Sequence, residues 1–253
     1  MTKQNNKKQP LWFDELSTTQ AADAARQGKV VIFPIGSVEE HGAHLPLCTD
    51  SVQPEYVALE VAKQTGCLVA PPFRYGILNA GRNFAGSLTI QFNTLYSVAK
   101  DVLSELARNG FNRIIVLSGH AGSTHMVALR LAAQEVVRQS GEENGNGKQR
   151  TRIMVLSDYD FAEELASELA PPGDGHAGAI ETSRVMAIRP DLIKSQGAKG
   201  KYELPRFEVV LHPERYFPSG VHGDPTAATA EKGRKINAYV IEQVIKLVQE
   251  LKT

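Results

Sequence analysis

Val30-Val31-Ile32-Phe33-Pro34-Ile35-Gly36-Ser37-Val38-Glu39-Glu40-His41-Gly42-Ala43-His44-Leu45-Pro46-Leu47-Cys48-Thr49-Asp50 begins as a β-branched apolar run and becomes, at Gly36, a loop full of donor atoms. The run reads as a buried strand over residues 30–35, and the Gly/Pro punctuation after it reads as loop. A strand that ends in such a loop is where α/β enzymes keep their chemistry. Imidazole nitrogen and carboxylate oxygen both suit a first-row divalent metal, so Glu39, His41 and Asp50 are three possible ligands from one loop. Taken alone, the loop reads equally well as a solvated turn with capping residues.

Working outward, Ser17-Thr18-Thr19-Gln20 is a capping-box pattern that opens a helix running to about Arg26, before Gly28. After Asp50, residues 52–64 read as a helix closed by Gly66, and residues 67–72 as a second strand stopped by Pro71-Pro72. Residues 79–87 are a Gly/Asn/Arg loop. Asn93 is placed to cap a helix with Leu95, Val98, Val102 and Leu106 on one face, ended by Gly110. The third strand, residues 113–117, runs into Ser118-Gly119-His120-Ala121-Gly122-Ser123. A helix with Met126, Leu129, Ala133 and Val136 on one face then ends near Gln139. Residues 140–150 read as a polar surface excursion, residues 153–156 as a fourth strand and 161–169 as a short helix. A turn at 171–175 leads into His176-Ala177-Gly178-Ala179-Ile180-Glu181-Thr182-Ser183. The last helix carries Ile236, Val240, Val244, Leu247 and Leu251 on one face. Strands alternating with helices imply a mainly parallel sheet in an α/β fold, with the site at the carboxyl ends of the strands.

The chain has 253 residues, within reach of one domain over 1–253, with residues 1–10 expected to be disordered. Its 28 basic and 28 acidic residues cancel, which argues against a nucleic-acid partner. No run of about 18 apolar residues occurs and the amino-terminal residues lack the apolar core of a signal peptide, so a cytoplasmic protein without a membrane partner is expected. Two cysteines are too few for a disulfide framework or a Cys-rich zinc site. There is no G-x-S-x-G elbow, P-loop, or G-x-G-x-x-G after a strand.

In a parallel sheet the loops after strands one, three and four emerge at one edge, so Glu39, His41, Asp50, His120, His176 and Glu181 can converge. Five ligands with a bridging aspartate suit a two-metal hydrolytic site, where the cations acidify a shared water and polarise a scissile carbonyl. His176 and Glu181 read equally as a helix start with an early-turn acid. His44 reads as a support or packing residue as readily as a ligand. His125 is expected to face away on a helix, and His212 and His222 to be structural or on the surface.

These residues resemble the signature of the creatininase family of amidohydrolases, in the 34–50 stretch and in Phe84-Ala-Gly-Ser87, Gly119-His-Ala-Gly122, the 176–183 motif and Gly223-Asp-Pro-Thr-Ala-Ala-Thr229. The resemblance covers roughly residues 12–251. It implies a three-layer α/β/α fold, a homo-oligomer (hexamer or dimer), and two divalent metal ions, zinc first with manganese or iron as alternatives, hydrolysing a non-peptide C–N amide bond of a small molecule. Carried over by position, Glu39, His41, Asp50 and His120 are metal ligands with Asp50 the bridge, Glu181 is the fifth ligand, and His176 transfers a proton. His44, Arg82, Ser87 and Ser123 are the expected substrate contacts. The family's usual loop Asn-Gly-His-Gly-Gly-Asn has serines here at 118 and 123. Creatinine-hydrolysing members carry a glutamate where this chain has Gly122, and tryptophans near the fourth motif where it has none; Trp12 is the only one. Weak creatinine turnover is therefore expected, and a polar or anionic amide or formamide is favoured through Arg82. The other readings are creatinine amidohydrolase proper, a formamide deformylase of flavin or deazaflavin synthesis, and a non-catalytic binding protein on the same scaffold.

Overall fold

The computed structural model of the chain describes residues 11–143 and 150–253. Four parallel strands form one sheet in the order β2-β1-β3-β4: β1 (Val31–Ile35), β2 (Leu68–Val69), β3 (Arg113–Ser118) and β4 (Arg152–Ser157). The β1 strand and residues 114–117 of β3 are apolar because both faces are covered. Val31, Phe33, Ile35, Ile114 and Val116 face one core with Leu95, Leu103, Met126 and Leu129, while Val30, Ile32, Ile115 and Leu117 face another with Val57, Val61, Ile236 and Val240. Helices α1 (Thr18–Arg26), α3 (Phe92–Arg108) and α4 (Ser123–Glu143) supply the first layer; α2 (Thr49–Thr65), α5 (Asp158–Ala162), α7 (Ala179–Ile188) and α8 (Ala230–Lys252) supply the second. The short α6 (Ala166–Leu169) follows α5. The result is a three-layer α/β/α fold. No helix among the described residues is long and apolar enough to cross a membrane.

Several local expectations hold. Ser17 caps α1 in a capping box with Gln20, and Gly66 ends α2 in the left-handed region. Others are corrected. The helix after the first strand begins at Thr49, not residue 52, so Asp50 sits in its first turn, not in the loop. The cap, Cys48, makes no side-chain bond, which is why no capping signal announces the start. Gln91, not Asn93, precedes α3, and the buried stripe is Leu95, Ala99, Leu103 and Leu106, with Val98 and Val102 half-buried beside it. The second strand is only two residues long, and α4 continues through Ser140 to Glu143. Ser140 turns its hydroxyl back onto Val137 O at 2.9 Å, a bond that a helix tolerates. The expected disorder of 1–10 and the excursion over 144–149 lie outside the described residues.

Strand order fixes the location of the site. The connection from β1 runs to β2 on one side and that from β3 runs to β4 on the other, so the loops after β1 and β3 diverge and leave a crevice at the carboxyl edge. The amino end of α2 enters that crevice against bare backbone. A Cβ on Gly36 would lie 2.6 Å from Asp50 O, and one on Gly119 only 2.1 Å from the same atom. Glycine at both places is what lets α2 approach this closely.

Candidate metal centre

Three loops deliver the side chains. The segment after β1 brings Glu39 and His41, the first turn of α2 brings Asp50, the β3–α4 loop brings His120, and the approach and first turn of α7 bring His176 and Glu181. Glu39, Asp50 and His120 form one group, and His41, His176 and Glu181 a second, the ligand atoms of each lying within 4.8 Å of one another. Asp50 divides its carboxylate between them. Its Oδ1 lies 3.0 Å from His41 Nε2 and its Oδ2 lies 3.0 Å from His120 Nδ1.

The ring nitrogens explain what this spacing means. His41 Nδ1 faces Glu39 O at 3.2 Å, and a carbonyl can only accept, so the proton of a neutral ring sits there and Nε2 presents a lone pair. His120 Nε2 donates likewise to Ile77 O at 3.0 Å, leaving Nδ1 as a lone pair 3.0 Å from Asp50 Oδ2 and from Glu39 Oε2. Lone pairs facing carboxylates at this distance repel unless a cation or an extra proton lies between. His41 Nε2 and Glu39 Oε2 are buried without a hydrogen-bond partner, which buried polar atoms rarely are. The donor set of imidazoles and carboxylates fits divalent zinc, manganese or iron.

The electrostatics agree. For His41, burial alone would lower the pKa, but Asp50, Glu181 and Glu39 outweigh it and hold the ring at about 10. Burial likewise opposes His120, and Glu39 with Asp50 carries it well above its ordinary value. Burial would raise Asp50, and the two imidazoles instead hold it well below the usual carboxylate range. Glu181 goes up, because its burial and Asp50 prevail over His41 and His176.

A cleft of ≈ 310 Å³ opens over these groups, with Glu39, Asp50, His120, His176 and Glu181 in its wall and Asn79, Ser123, Tyr159 and Tyr202 around them. Of the four expected substrate contacts, Ser123 alone lines it. Arg82 is exposed on the 3-10 turn Gly81–Asn83 and is not part of the cleft wall. Ser87 accepts Glu40 N–H at 3.0 Å, which ties the β1 loop to its neighbour. His44 is fully buried, bonded through Nε2 to Thr182 Oγ1 at 2.9 Å on α7.

His125 does not face away. It is fully buried, edge-on to His120 with ring centroids 4.9 Å apart, accepting Ile77 N–H at Nδ1 and meeting Ser118 Oγ at 3.1 Å through Nε2. Ser118 passes its own proton to His120 O at 2.8 Å, so this serine holds the His120 loop rather than a substrate. His212 and His222 lie outside both ligand groups, His212 exposed beside Glu214 and His222 accepting Tyr202 N–H. Sequence reasoning missed Tyr202, which lies in an irregular segment, and Glu40, whose buried carboxylate lies 3.3 Å from His176 Nε2. The doublet Glu39-Glu40 was a signal for the latter, since one of two adjacent acids must leave the ligand group.

Comparison with known proteins follows this geometry. A family model described as Creatininase: Creatinine amidohydrolase matches residues 14–248. The creatinine amidohydrolase of Pseudomonas putida is 28% identical over 249 residues, covering 87% of this chain and 89% of that protein. The mycofactocin precursor peptide peptidase of Mycobacterium ulcerans (strain Agy99) is 29% identical over 248 residues, covering 91% and 89%. A solved structure of creatininase with Mn superposes with a TM-score of 0.85 at 25% identity, covering 96% of this chain and 98% of that one. A creatininase variant of Zn-Zn type gives 0.84 at 26% identity with the same coverage.

Proposed function

The chain belongs to the creatininase family of hydrolases, and from that premise we propose that it is a metal-dependent amidohydrolase acting on a small, uncharged amide. The observation that carries the reading is the pair of lone-pair contacts at 3.0 Å on either side of Asp50, each of which a bound cation, or in its absence an added proton, must satisfy. Glu39, His120 and Asp50 Oδ2 would hold one divalent ion, and His41, Glu181 and Asp50 Oδ1 the other. When bound, such ions supply the positive charge that polarises an amide carbonyl and acidifies a water.

The chain's own residues do the rest. His176 donates from Nε2 to Glu40 O at 2.8 Å, so its Nδ1, a lone pair in the neutral ring, is placed to take up the proton lost by the attacking water and then hand it to the departing nitrogen. Unlike His41, whose side chain is 0% exposed, His176 is 26% exposed and can exchange that proton with solvent. Glu181 is anchored by Ala177 N–H at 2.6 Å, which turns its carboxylate toward His41.

Arg82, on which the expectation of an anionic substrate rests, stands outside the cleft wall, and among the described residues neither lysine nor arginine lines it. With the three carboxylates committed to the cations, the polar groups left to meet a substrate beside His176 are two tyrosines, an asparagine and a serine, which suit a neutral amide. The relatives at 28% and 29% identity are named for creatinine and for a precursor peptide, so a creatinine-like ring and a peptide both belong in the test. Association into a homo-oligomer is part of the proposal, supported by Phe207, Val209 and Leu211, which are 88%, 99% and 81% exposed. The deciding experiment offers metal-reconstituted protein creatinine, a formylamino-pyrimidine ribotide, simple amides and short peptides side by side, before and after chelation. Hydrolysis of a neutral amide, lost on chelation and restored by Mn or Zn, is the expected result; a chelated preparation working at full rate would end the reading.

A further inference from the structure

At the opposite end of the sheet from the metal ligands, where β3 and β4 begin, a cavity of ≈ 600 Å³ opens beside the carboxyl end of α8. Arg113, Arg150 and Arg152 line it, and among the described residues no aspartate or glutamate does. Arg113 and Arg152 are register partners on neighbouring parallel strands, so their stems leave the same face of the sheet. Strands sit ~4.8 Å apart, and like charges placed side by side at that spacing destabilise a sheet unless something compensates them.

Elsewhere in the chain arginines find carboxylates, as Arg74 does with Glu55, Arg108 with Glu105, Arg184 with Asp158 and Arg189 with Asp191. Here the partners are backbone carbonyls alone. Arg113 Nη1 donates to Gly28 O at 3.1 Å, and Arg152 reaches Leu251 O and Glu250 O at 3.4 and 3.3 Å. Arg113 Nε is buried with no hydrogen-bond partner. In a chain whose formal charge is zero, three arginines line one cavity that holds no aspartate or glutamate among the described residues, set against the negative carbonyl end of α8 and the last residue, Thr253.

We propose that this cavity binds a small, multiply charged oxyanion, of the phosphate or polycarboxylate class. With Arg113 Nη1 on Gly28 O and both terminal nitrogens of Arg152 on α8 carbonyls, the anion meets the remaining N–H groups of these two guanidinium groups together with Arg150. The site lies behind the sheet and is separate from the catalytic cleft, so its occupant is an effector or a stabilising ion and not the substrate. Binding there also fastens the end of α8 to the starts of β3 and β4.

The test is calorimetric titration of the metal-loaded full chain with pyrophosphate, citrate and inorganic phosphate at constant ionic strength. Saturable 1:1 binding of pyrophosphate or citrate is expected, and which of the two binds identifies the class. Arg150→Gln and Arg113→Gln should each weaken it by about tenfold or more, the worth of one charge-assisted contact, while leaving amide hydrolysis unchanged. Arg113→Lys keeps the charge without the fork and should fall between, which keeps the test informative if Arg113→Gln folds poorly. No binding up to ~1 mM, a concentration corresponding to only about 4 kcal/mol, would overturn the proposal. Binding equally tight in the Arg150 and Arg113 variants would place the anion at the metal centre and overturn it as well.

Discussion

Filling the centre with metal should expel protons, and their number follows from the geometry. In the metal-free protein the lone pairs of His41 and His120 that face carboxylates take up protons, which is why His41 titrates at about 10 and His120 well above its ordinary value, against the opposing effect of burial. Near pH 7.5 a group with a pKa of about 10 is deprotonated in only about 0.3% of molecules. The apparent affinity of its metal site is then ~2.5 orders of magnitude below the limit reached above pH 10, and rises about tenfold per pH unit in between. Loading two cations should release about two protons per chain. Titration of the chelated protein with Mn or Zn in buffers of different ionisation enthalpy gives that count as a slope. Release of fewer than about 0.5 proton would refute the assignment of the facing nitrogens as metal-binding lone pairs. Stability must move with the opposite sign. Because the folded pKa is raised, the contribution of His41 in metal-free protein is fully present below about 6.5 and lost as pH climbs to about 10, an upper bound of roughly 5 kcal/mol. Metal-free protein should therefore melt earlier at high pH, and metal-loaded protein should not share that slope.

Asp50→Ala should lose at least one metal, measured by elemental analysis, together with activity, since one carboxylate serves both ligand groups; a variant retaining two metals would put the bridge elsewhere. His44→Ala should keep both metals and slow turnover by about 10–100-fold, because it supports α7 through Thr182 without joining the cluster. His125, held at about 3 by burial and by the neighbouring His120, binds fewer protons folded than unfolded. Its contribution is present above about 6.5 and lost toward pH 3, at up to about 1.4 kcal/mol per pH unit, so His125→Asn should flatten the acid limb of urea midpoints by part of that slope. Creatinine should be turned over poorly, given Gly122 and the placement of the one tryptophan against Val69 at the sheet edge; efficient turnover would show that Tyr159 and Tyr202 replace the missing rings.

The fold, and the convergence of Glu39, His41, Asp50 and His120, were legible because their signals are local. The apolar runs at 30–35 and 113–117 are continuous, as strands covered on both faces must be, and each is followed at once by its donors. What was misread depended on contacts far along the chain. Asp50 was assigned to a loop because Cys48 gives no capping signal and the amino end of α2 is fixed by packing against Gly36 and Gly119. His125 could have been placed inward, since Ala128, Leu129 and Ala132 follow it at three, four and seven residues, the spacing of one buried helical face. Tyr202 had no comparable signal, because it reaches the cleft from a segment without periodicity. The charge pattern behind the sheet is invisible in composition, since 28 against 28 hides where the charges sit.

Asp50 hangs from main chain that touches main chain, and this has a consequence for ion selectivity. Two bare glycines leave α2 little room to slide, so the carboxylate that the two groups share is presented from a fixed point of the main chain. A rigid bite discriminates by ionic radius. Zinc, manganese and iron are close enough in size to exchange, whereas calcium, with its longer bonds of about 2.3–2.6 Å and its need for six to eight oxygens, finds neither room nor partners. A large excess of calcium should therefore leave bound zinc or manganese in place.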